Sequence, residues 1–193
     1  MSVVIINYNA GNVQSVKNAL NRLGVEPVLS DEKEVIQSAD KVIFPGVGEA
    51  STAMDFLRKR NLDQVIKELK QPVFGVCLGL QLMCRHSEEN DTDCLGIFDV
   101  DVKKFEPKLK VPQMGWNTLE AMNSPLFTGL PQEPYVYYVH SYYAALSVNT
   151  IAKTGYVNHF SAALQKDNFY ALQAHPEKSG KVGEQILKNF LEL

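Results

Sequence analysis

The sequence predicts an α/β fold: a doubly wound, mostly parallel sheet with helices on both faces and an antiparallel extension. Three observations lead to this prediction. Short apolar runs in the first half of the chain alternate with amphipathic helical stretches, which is typical of βαβ units. From Leu95 onward, strand-like segments follow one another directly, which indicates antiparallel pairing. A cysteine bracketed by glycines follows one of the apolar runs, as at a sharp strand-to-helix turn.

The first half alternates regularly between strands and helices. In chain order, the predicted elements are a strand at 3–6, a helix at 13–23, a strand at 25–29, a short helix at 31–38, a strand at 41–44, a helix that contains 53–57, a helix at 61–70 and a strand at 73–76. The first helix is predicted to end at Gly24. Ligands of such sheets bind beyond the carboxyl ends of the strands, so the turns at Asn7, Pro45 and Cys77 should gather at one edge.

The second half is predicted to consist mainly of strands within the same domain, which spans 1–193. A polar loop at 87–93 precedes strands at 97–102, 113–119, 135–139, 151–156, 161–165 and 169–173. An amphipathic helix at 179–191 ends the sequence. A length of 193 residues is sufficient for one domain with a full core.

Composition and charge argue against several classes of function. The net charge is −3 and no run of Lys and Arg occurs, so we expect no nucleic-acid partner. No apolar stretch approaches the roughly 20 residues that a membrane span needs. The cysteines at 77, 84 and 94 lack the spacing of a metal site or a disulfide framework, which suggests a reducing compartment. We therefore expect a cytoplasmic protein with no membrane contact and no metal.

The segment from Gly75 to Gly79 has Cys77 at its centre. Small neighbours at i−2 and i+2 let the backbone turn sharply and leave a nucleophile at the carboxyl end of the strand. The beginning of the following helix would favour a thiolate and an oxyanion. The alternative is a buried core thiol in a glycine-rich loop, which is the better interpretation of a cysteine without a base.

A candidate base lies near the other end of the chain, in His175-Pro176-Glu177 after a predicted strand. A carboxylate two residues from a histidine can orient the imidazole, select its tautomer and stabilise the imidazolium. His175 alone would more simply be a surface histidine. Together, Cys77 and His175 form a specific nucleophile and base pair.

These two motifs resemble those of the class I (triad) glutamine amidotransferases, which have a flavodoxin-like sheet. Other segments are similar to the glutaminase subunits of imidazole glycerol phosphate synthase, notably the stretch from Val111 to Asn117. The resemblance implies that the chain hydrolyses glutamine through a Cys77, His175 and Glu177 triad and a glutamyl thioester. It also implies a (β/α)8-barrel cyclase subunit as partner in a one-to-one heterodimer, and no cofactor.

The Pro45-Gly46-Val47-Gly48 segment follows the third predicted strand. Because Ser51 occupies the position of the third glycine, the dinucleotide-binding fingerprint fails. The resemblance implies an oxyanion hole formed by the backbone N–H groups of Val47 and Leu78. It further implies that the Val47 peptide rests turned away, and that this β-branched residue makes a peptide flip harder.

The resemblance also assigns substrate contacts and a partner surface. The expected substrate-binding residues are Gly46, Gly48, Gln81, Glu89, Ser141 and Tyr142. The expected partner-interface residues are Asn12, Met114, Trp116, Tyr138 and Lys178. Without the resemblance, simpler interpretations apply. Asn12 would cap a helix, Glu89 would lie in a solvated acidic loop and Trp116 would be a core residue. The segment around Tyr138, Ser141 and Tyr142 would be an aromatic strand, and Lys178 would be an exposed charge.

Three other functions are compatible with parts of this pattern. A triad glutaminase could serve another acceptor, such as the pyridoxal phosphate pathway, although the Met-Gly-Trp-Asn stretch argues against it. A protease or deglycase-like hydrolase would act without glutamine. A catalytically silent scaffold would only bind a partner.

Overall fold

The computed structural model describes residues 1–8 and 11–193. Its strands are β1 (Val3–Ile6), β2 (Val28–Ser30), β3 (Lys41–Phe44), β4 (Val73–Val76), β5 (His86–Ser87), β6 (Thr92–Asp93), β7 (Asp101–Lys104), β8 (Gln113–Thr118), β9 (Tyr135–His140), β10 (Tyr142–Ala144), β11 (Thr150–Gly155), β12 (His159–Lys166) and β13 (Phe169–Leu172). Its α-helices are α1 (Val13–Arg22), α2 (Lys33–Ser38), α3 (Ala50–Lys59), α4 (Leu62–Glu68), α5 (Leu78–Met83) and α6 (Gly180–Glu192). Short 3-10 helices lie at Pro125–Phe127 and Pro176–Lys178.

The main sheet has the strand order β11-β12-β13-β4-β3-β1-β2 within these ranges. The strands from β13 to β2 pair in parallel, whereas β12 and β11 pair antiparallel at one edge. The predicted doubly wound, mostly parallel sheet with an antiparallel extension is therefore confirmed. Because β1, β3 and β4 run in parallel, Asn7, Pro45 and Cys77, which directly follow these strands, lie at one edge of the sheet.

Helices cover both faces of this sheet. Val4 and Ile6 of β1 pack into a core with residues of α2, α3, α4 and α5, whereas Val3 and Ile5 pack on the opposite face with residues of α1 and α6. Every residue of β1 is buried. This double burial explains why the strand has a continuous apolar sequence instead of an alternating one.

Smaller sheets extend the fold on the side of the strand-rich half. One has the order β10-β7-β5-β6, and another pairs β8 with β9. None of the described helices is long and apolar enough to cross a membrane.

Two predictions for this half were wrong. The segment predicted as a polar loop at 87–93 is a tight hairpin, in which Asn90 and Asp91 both have positive φ angles of 53° and 48°. The four residues 88–91 connect the two strands, and asparagine and aspartate tolerate this left-handed conformation better than most residues do. The strand predicted at 97–102 begins only at Asp101, because Phe98 and Val100 are buried in irregular backbone. A short apolar run predicts burial more reliably than it predicts a strand.

Candidate active site

Cys77 lies on a strained turn between β4 and α5. Its φ and ψ angles are 52° and −105°, which a residue with a side chain rarely adopts. Both neighbouring glycines are required for close packing: a Cβ atom at Gly79 would lie 1.9 Å from the carbonyl oxygen of Phe44, and one at Gly75 would lie 2.9 Å from the sulfur of Met83. The Gly-x-Cys-x-Gly spacing is thus explained by the approach of α5 to β3 and by the turn itself.

His175 and Glu177 form a buried ion pair at the end of β13. The imidazole Nδ1 lies 2.7 Å from Oε1 of Glu177, and the exposed fractions of the two side chains are 1% and 0%. The backbone N–H of His175 donates to the carbonyl of Tyr137 at 2.9 Å. Pro176 begins the 3-10 helix that turns Glu177 back toward the ring.

The pKa of His175 depends on burial and on two neighbours. Burial alone would lower it, but the Cys77 sulfur, as a hydrogen-bond partner and as a thiolate, and the Glu177 carboxylate outweigh this effect and raise the pKa to about 10. The imidazole Nε2 has no hydrogen bond of good geometry within the described ranges. Cys77 nevertheless acts on the pKa of the imidazole, so the two side chains are neighbours.

Asn12 occupies a position that the sequence did not reveal. Its side-chain amide donates to Oε1 of Glu177, the oxygen that also contacts His175. Asn12 is half-buried and precedes α1 with a φ angle of 68°. Because 165 positions separate the two residues, only the folded structure brings them together.

A second unpredicted neighbour of the nucleophile is Gln173. Its Nε2 atom lies 3.6 Å from the sulfur of Cys77, and its Oε1 atom accepts a hydrogen bond from Gln81 at 3.1 Å. Gln81 also donates to the carbonyl of Tyr142 at 2.9 Å. Gln173 lies two residues before His175 in the sequence, which is a weak signal that it belongs to the site. Its hydrogen bonds, however, have no sequence signature.

In this structure the loop predicted to form the oxyanion hole has its Gly46 carbonyl, instead of the Val47 N–H, turned toward Leu78. The N–H of Leu78 donates to the carbonyl of Gly46 at 3.2 Å. In a trans peptide the N–H points away from the carbonyl, so the Val47 N–H points away from Leu78. On the side of β1, Tyr8 donates from its hydroxyl to the carbonyl of Pro45.

A cavity of about 260 Å³ brings most of the predicted site residues together. It is lined by Val47, Gly48, Cys77, Leu78, Gln81, Glu89, Ser141 and Tyr142, together with Pro112, Val139 and His140, which were not assigned to the site. Gly46 lies next to the cavity through its contact with Leu78. A larger cavity of about 370 Å³ lies on the α3 side of Val47 and Gly48, but Cys77 does not line it. The smaller cavity is the one that a substrate of Cys77 would use.

Two side chains that line the smaller cavity, Glu89 and His140, have pKa values shifted by burial. Burial raises the pKa of Glu89, although a 2.8 Å hydrogen bond from the Ala50 N–H opposes the change. Burial lowers the pKa of His140 to about 4, so this ring is neutral at pH 7. His140 contacts Gln113 and Tyr142 through its two nitrogens, at 2.9 Å and 2.8 Å. These contacts agree with a structural role for His140.

The expected partner surface is only partly exposed. Met114 and Trp116 are 60% and 56% exposed on β8, and Lys178 is also exposed. Tyr138, by contrast, is fully buried and its hydroxyl lies 2.7 Å from that of Thr154, so its side chain is not at the surface of the isolated chain, and its place at a partner interface stays a prediction. Side chains alternate between the two faces of β9, so Tyr138 points to the core and Tyr137 points outward. The Tyr137 ring packs edge-on against the Trp116 ring, with 6.0 Å between the ring centroids.

Comparisons with known proteins agree with this geometry. The family profile described as "Glutamine amidotransferase class-I" matches residues 4–193. The chain is 61% identical over the full length of both chains to imidazole glycerol phosphate synthase subunit HisH of Bacteroides thetaiotaomicron, and 48% identical to that of Escherichia coli K12.

Solved structures show the same fold at lower identity. One titled "Crystal structure of glutamine amidotransferase" has a TM-score of 0.79 at 21% identity and covers 99% of this chain and 98% of its own. A putative GMP synthase subunit from Thermoplasma acidophilum has a TM-score of 0.77 at 21% identity, and the match covers 100% of this chain and 93% of that one. The chain therefore belongs to the class-I glutamine amidotransferase family, in the branch of the HisH subunits of imidazole glycerol phosphate synthase.

Proposed function

We propose that this chain is the glutaminase subunit of an imidazole glycerol phosphate synthase, which takes part in histidine biosynthesis. It hydrolyses glutamine to glutamate and ammonia. The ammonia passes to a cyclase subunit that makes imidazole glycerol phosphate and aminoimidazole carboxamide ribotide. The observation that supports this most strongly is the buried pair of His175 and Glu177 beside Cys77, in a chain that is 61% identical to a HisH subunit over its full length.

The catalytic steps follow from the residues at the elbow and at the end of β13. His175 takes the proton of Cys77 while Glu177 holds the ring, which gives the thiolate and imidazolium pair that the raised pKa of His175 favours, and the sulfur attacks the side-chain amide carbon of glutamine. The resulting imidazolium protonates the departing ammonia, which leaves a glutamyl thioester. Water then attacks the thioester carbon, gives a proton to His175 and releases glutamate.

Substrate contacts come from the smaller cavity. Gln81, Glu89, Ser141 and Tyr142 line it together with the Gly48 backbone. Glu89 is only partly exposed, and its carboxylate suits the α-amino group of glutamine. The backbone at Ser141 and Tyr142 is assigned to the substrate carboxylate, whereas Gly46 shapes the loop that faces the amide oxygen.

This conformation of the loop would explain low glutaminase activity in the absence of a partner. The Leu78 N–H is already occupied by the Gly46 carbonyl, and the Val47 N–H points away from it. Rotation of the peptide between Gly46 and Val47 would free one donor and supply the other. Each oxyanion donor contributes about 100-fold to 1000-fold to the rate, so the resting arrangement loses most of the catalytic advantage.

A partner completes the reaction. We expect a (β/α)8-barrel cyclase subunit in a one-to-one heterodimer, docked on a surface that includes Asn12, Met114, Trp116 and Lys178. We also expect no cofactor and a cytoplasmic location. One domain, residues 1–193, would carry the whole glutaminase activity.

The test compares glutamine hydrolysis by the isolated chain, by the complex and by the complex with a ribotide ligand of the barrel. We expect weak activity alone and a steep rise when both are present, with the Cys77→Ala complex as the inactive control. Equal rates in all three samples would contradict the proposal.

Labelling by an electrophilic glutamine analogue provides a second test, read by mass spectrometry. We expect modification of Cys77 alone. Burial raises the pKa of Cys94 to about 12 and raises the pKa of Cys84 well above its usual value, so these two thiols stay protonated at pH 7. Modification of either of them in place of Cys77 would remove Cys77 from the mechanism.

A further inference from the structure

We propose that Gln173 is a fourth catalytic residue, which donates a hydrogen bond to the sulfur of Cys77 and stabilises its thiolate. The inference rests on the proposed function, because it assigns a role within the same site. Gln173 Nε2 lies 3.6 Å from the Cys77 sulfur, and the side chain is fully buried. A neutral thiol is a weak acceptor, whereas a hydrogen bond to a charged group is roughly twice as strong as one between neutral groups.

The orientation of the Gln173 amide is fixed by a chain of hydrogen bonds. The carbonyl of Tyr142 can only accept, so the group of Gln81 that lies 2.9 Å from it is the NH₂ group. The same NH₂ group lies 3.1 Å from Gln173, which must therefore present its oxygen to Gln81. The remaining end of the Gln173 amide is its NH₂ group, and this end faces Cys77.

The backbone holds the two residues in register. β13 and β4 are parallel neighbours, and Leu172 pairs with Val76 at their ends. The N–H of Cys77 donates to the Leu172 carbonyl at 2.8 Å, while the N–H of Gln173 donates to the Ala162 carbonyl at 2.8 Å. The Gln173 amide is thus positioned by the sheet, independently of the loop that must rearrange during catalysis.

Negative charge appears on this sulfur twice in the reaction. The first occasion is the transfer of the thiol proton to His175. The second is thioester hydrolysis, in which water forms a bond to the acyl carbon, the carbon–sulfur bond breaks and its electron pair returns to sulfur. Gln173 would stabilise the thiolate on both occasions, whereas the oxyanion hole acts on the carbonyl oxygen.

The test measures the thiolate directly through the pH dependence of Cys77 alkylation by iodoacetamide, followed by mass spectrometry. Gln173→Met keeps the approximate shape without the donor, and Gln173→Glu places a carboxylate against the sulfur. We expect the pH midpoint of alkylation to rise by about one unit in Gln173→Met, so that alkylation below the midpoint slows by about tenfold, and to rise further in Gln173→Glu. Asn189→Leu is the matched control, because Asn189 is a buried amide that donates to the carbonyls of Leu126 and Thr128, outside the site. We expect its midpoint to equal that of the wild type.

An unchanged midpoint in both Gln173 variants would overturn the proposal, even if their stability or turnover fell, because it would leave Gln173 a purely structural role. A measurement on the unmodified protein covers the case in which the variants do not fold. With glutamine-selective ¹⁵N labelling, the side-chain amide signal of Gln173 should shift with the titration of Cys77, and an amide that does not respond would also overturn the proposal. Neither measurement uses glutamine or the partner, so failure here is distinct from failure of the proposed function.

Discussion

The carboxylate of Glu177 is buried, and one of its oxygens forms hydrogen bonds with two side chains. Oε1 contacts both His175 and Asn12, whereas Oε2 has no hydrogen-bond partner within the described part of the chain. A buried carboxylate is stable only when it is paired and hydrogen-bonded. The His175 imidazolium and the Asn12 amide together supply that compensation, so each of them should affect both stability and catalysis.

The first prediction concerns stability and pH. The folded-state pKa of His175, about 10, lies above its usual value of 6.5, so the stabilisation from its protonation is complete below about pH 6.5 and is lost as the pH rises through 10. We expect the free energy of unfolding of the wild type to exceed that of Glu177→Gln at pH 6.5. The difference should shrink toward pH 10, by at most about 1.4 kcal/mol per pH unit.

Urea unfolding at pH 6.5, 8 and 10 would measure this difference. Glu106→Gln is a suitable control, because Glu106 forms an exposed ion pair with Lys108. Its effect should be small and constant over this range. A difference between wild type and Glu177→Gln that stays constant with pH would contradict a contribution of Glu177 to the raised pKa of His175.

The second prediction concerns Asn12. Removal of a hydrogen bond to a buried charged group costs about 1.5–3 kcal/mol, so Asn12→Ala should slow labelling of Cys77 by a glutamine-analogue electrophile about tenfold to 100-fold. Because the isolated chain is used, a loss of partner binding cannot produce this result. Asn18→Ala is the matched control on α1, since Asn18 is exposed and bonds only to Gln14 among the described residues. Equal labelling rates in the two variants would show that Asn12 does not position Glu177.

At the residue scale, the sequence could reveal the triad but not its neighbours. Cys77 is marked by glycines at fixed spacing, and His175 and Glu177 are two residues apart, so each motif is local. Asn12 and Gln173 reach the triad only through tertiary contacts, 165 and 96 positions away from Glu177 and Cys77. The sequence also could not show that Tyr138 is buried and Tyr137 partly exposed, because the two are chemically alike and only the register of β9 distinguishes the inner from the outer one.

At the scale of elements, the strand ends and the loop after β3 determine the state of the site. The loop is fixed on both flanks, by Tyr8 on the carbonyl of Pro45 and by Leu78 on the carbonyl of Gly46. A Cβ atom at Gly46 would lie 2.0 Å from the Tyr8 hydroxyl oxygen. The peptide that must rotate is therefore bordered by close contacts, and Val47 adds a branched side chain to it.

The third prediction follows from these contacts. Val47→Gly removes the side chain that restricts the backbone, so the isolated chain should populate the rotated peptide more often. We expect glutamine hydrolysis without the partner to rise about tenfold, which is well below the full effect of one oxyanion donor. Stimulation by the partner and its ligand should fall correspondingly. The measurement is the glutaminase rate with and without partner.

Val25→Gly serves as a control for a change of the same size outside the loop, since Val25 packs against the core on the α1 side. Its basal rate should not rise. A Val47→Gly chain with an unchanged basal rate would mean that the Val47 side chain is not what keeps the peptide at rest.

The elements themselves were predictable where burial is complete on both faces. The bounds predicted for β1, β3 and β4 agree with the structure, because a continuous apolar run with polar or turn residues at its ends defines the extent of a strand that is buried on both faces. Prediction was weaker at the sheet edge, where β2 begins only at Val28, and in the hairpin of β5 and β6, where each strand has two residues. Such short strands are set by turn conformation and tertiary contacts and lack a sequence period.

At the scale of the whole molecule, one apolar surface has no covering element within the described ranges. Met114, Trp116, Tyr135 and Tyr137 lie on the same face of the sheet formed by β8 and β9, because Trp116 pairs with Tyr137 and the side chains alternate along both strands. Met114, Trp116 and Tyr135 are each more than half exposed. Exposed aromatic side chains that are grouped in this way are typical of protein interfaces.

The fourth prediction tests whether this surface binds the cyclase subunit. Trp116→Ala should weaken the complex by about 2 kcal/mol or more, which is roughly 30-fold in Kd, because tryptophan is enriched among the interface residues that contribute most to binding. Stability of the isolated chain should change little, since Trp116 is 56% exposed. Isothermal titration calorimetry gives the affinity, and Val148→Ala provides a control, because Val148 is fully exposed at 101% in the connection between β10 and β11. If Trp116→Ala bound the cyclase as tightly as Val148→Ala does, the docking surface would have to lie elsewhere on the chain.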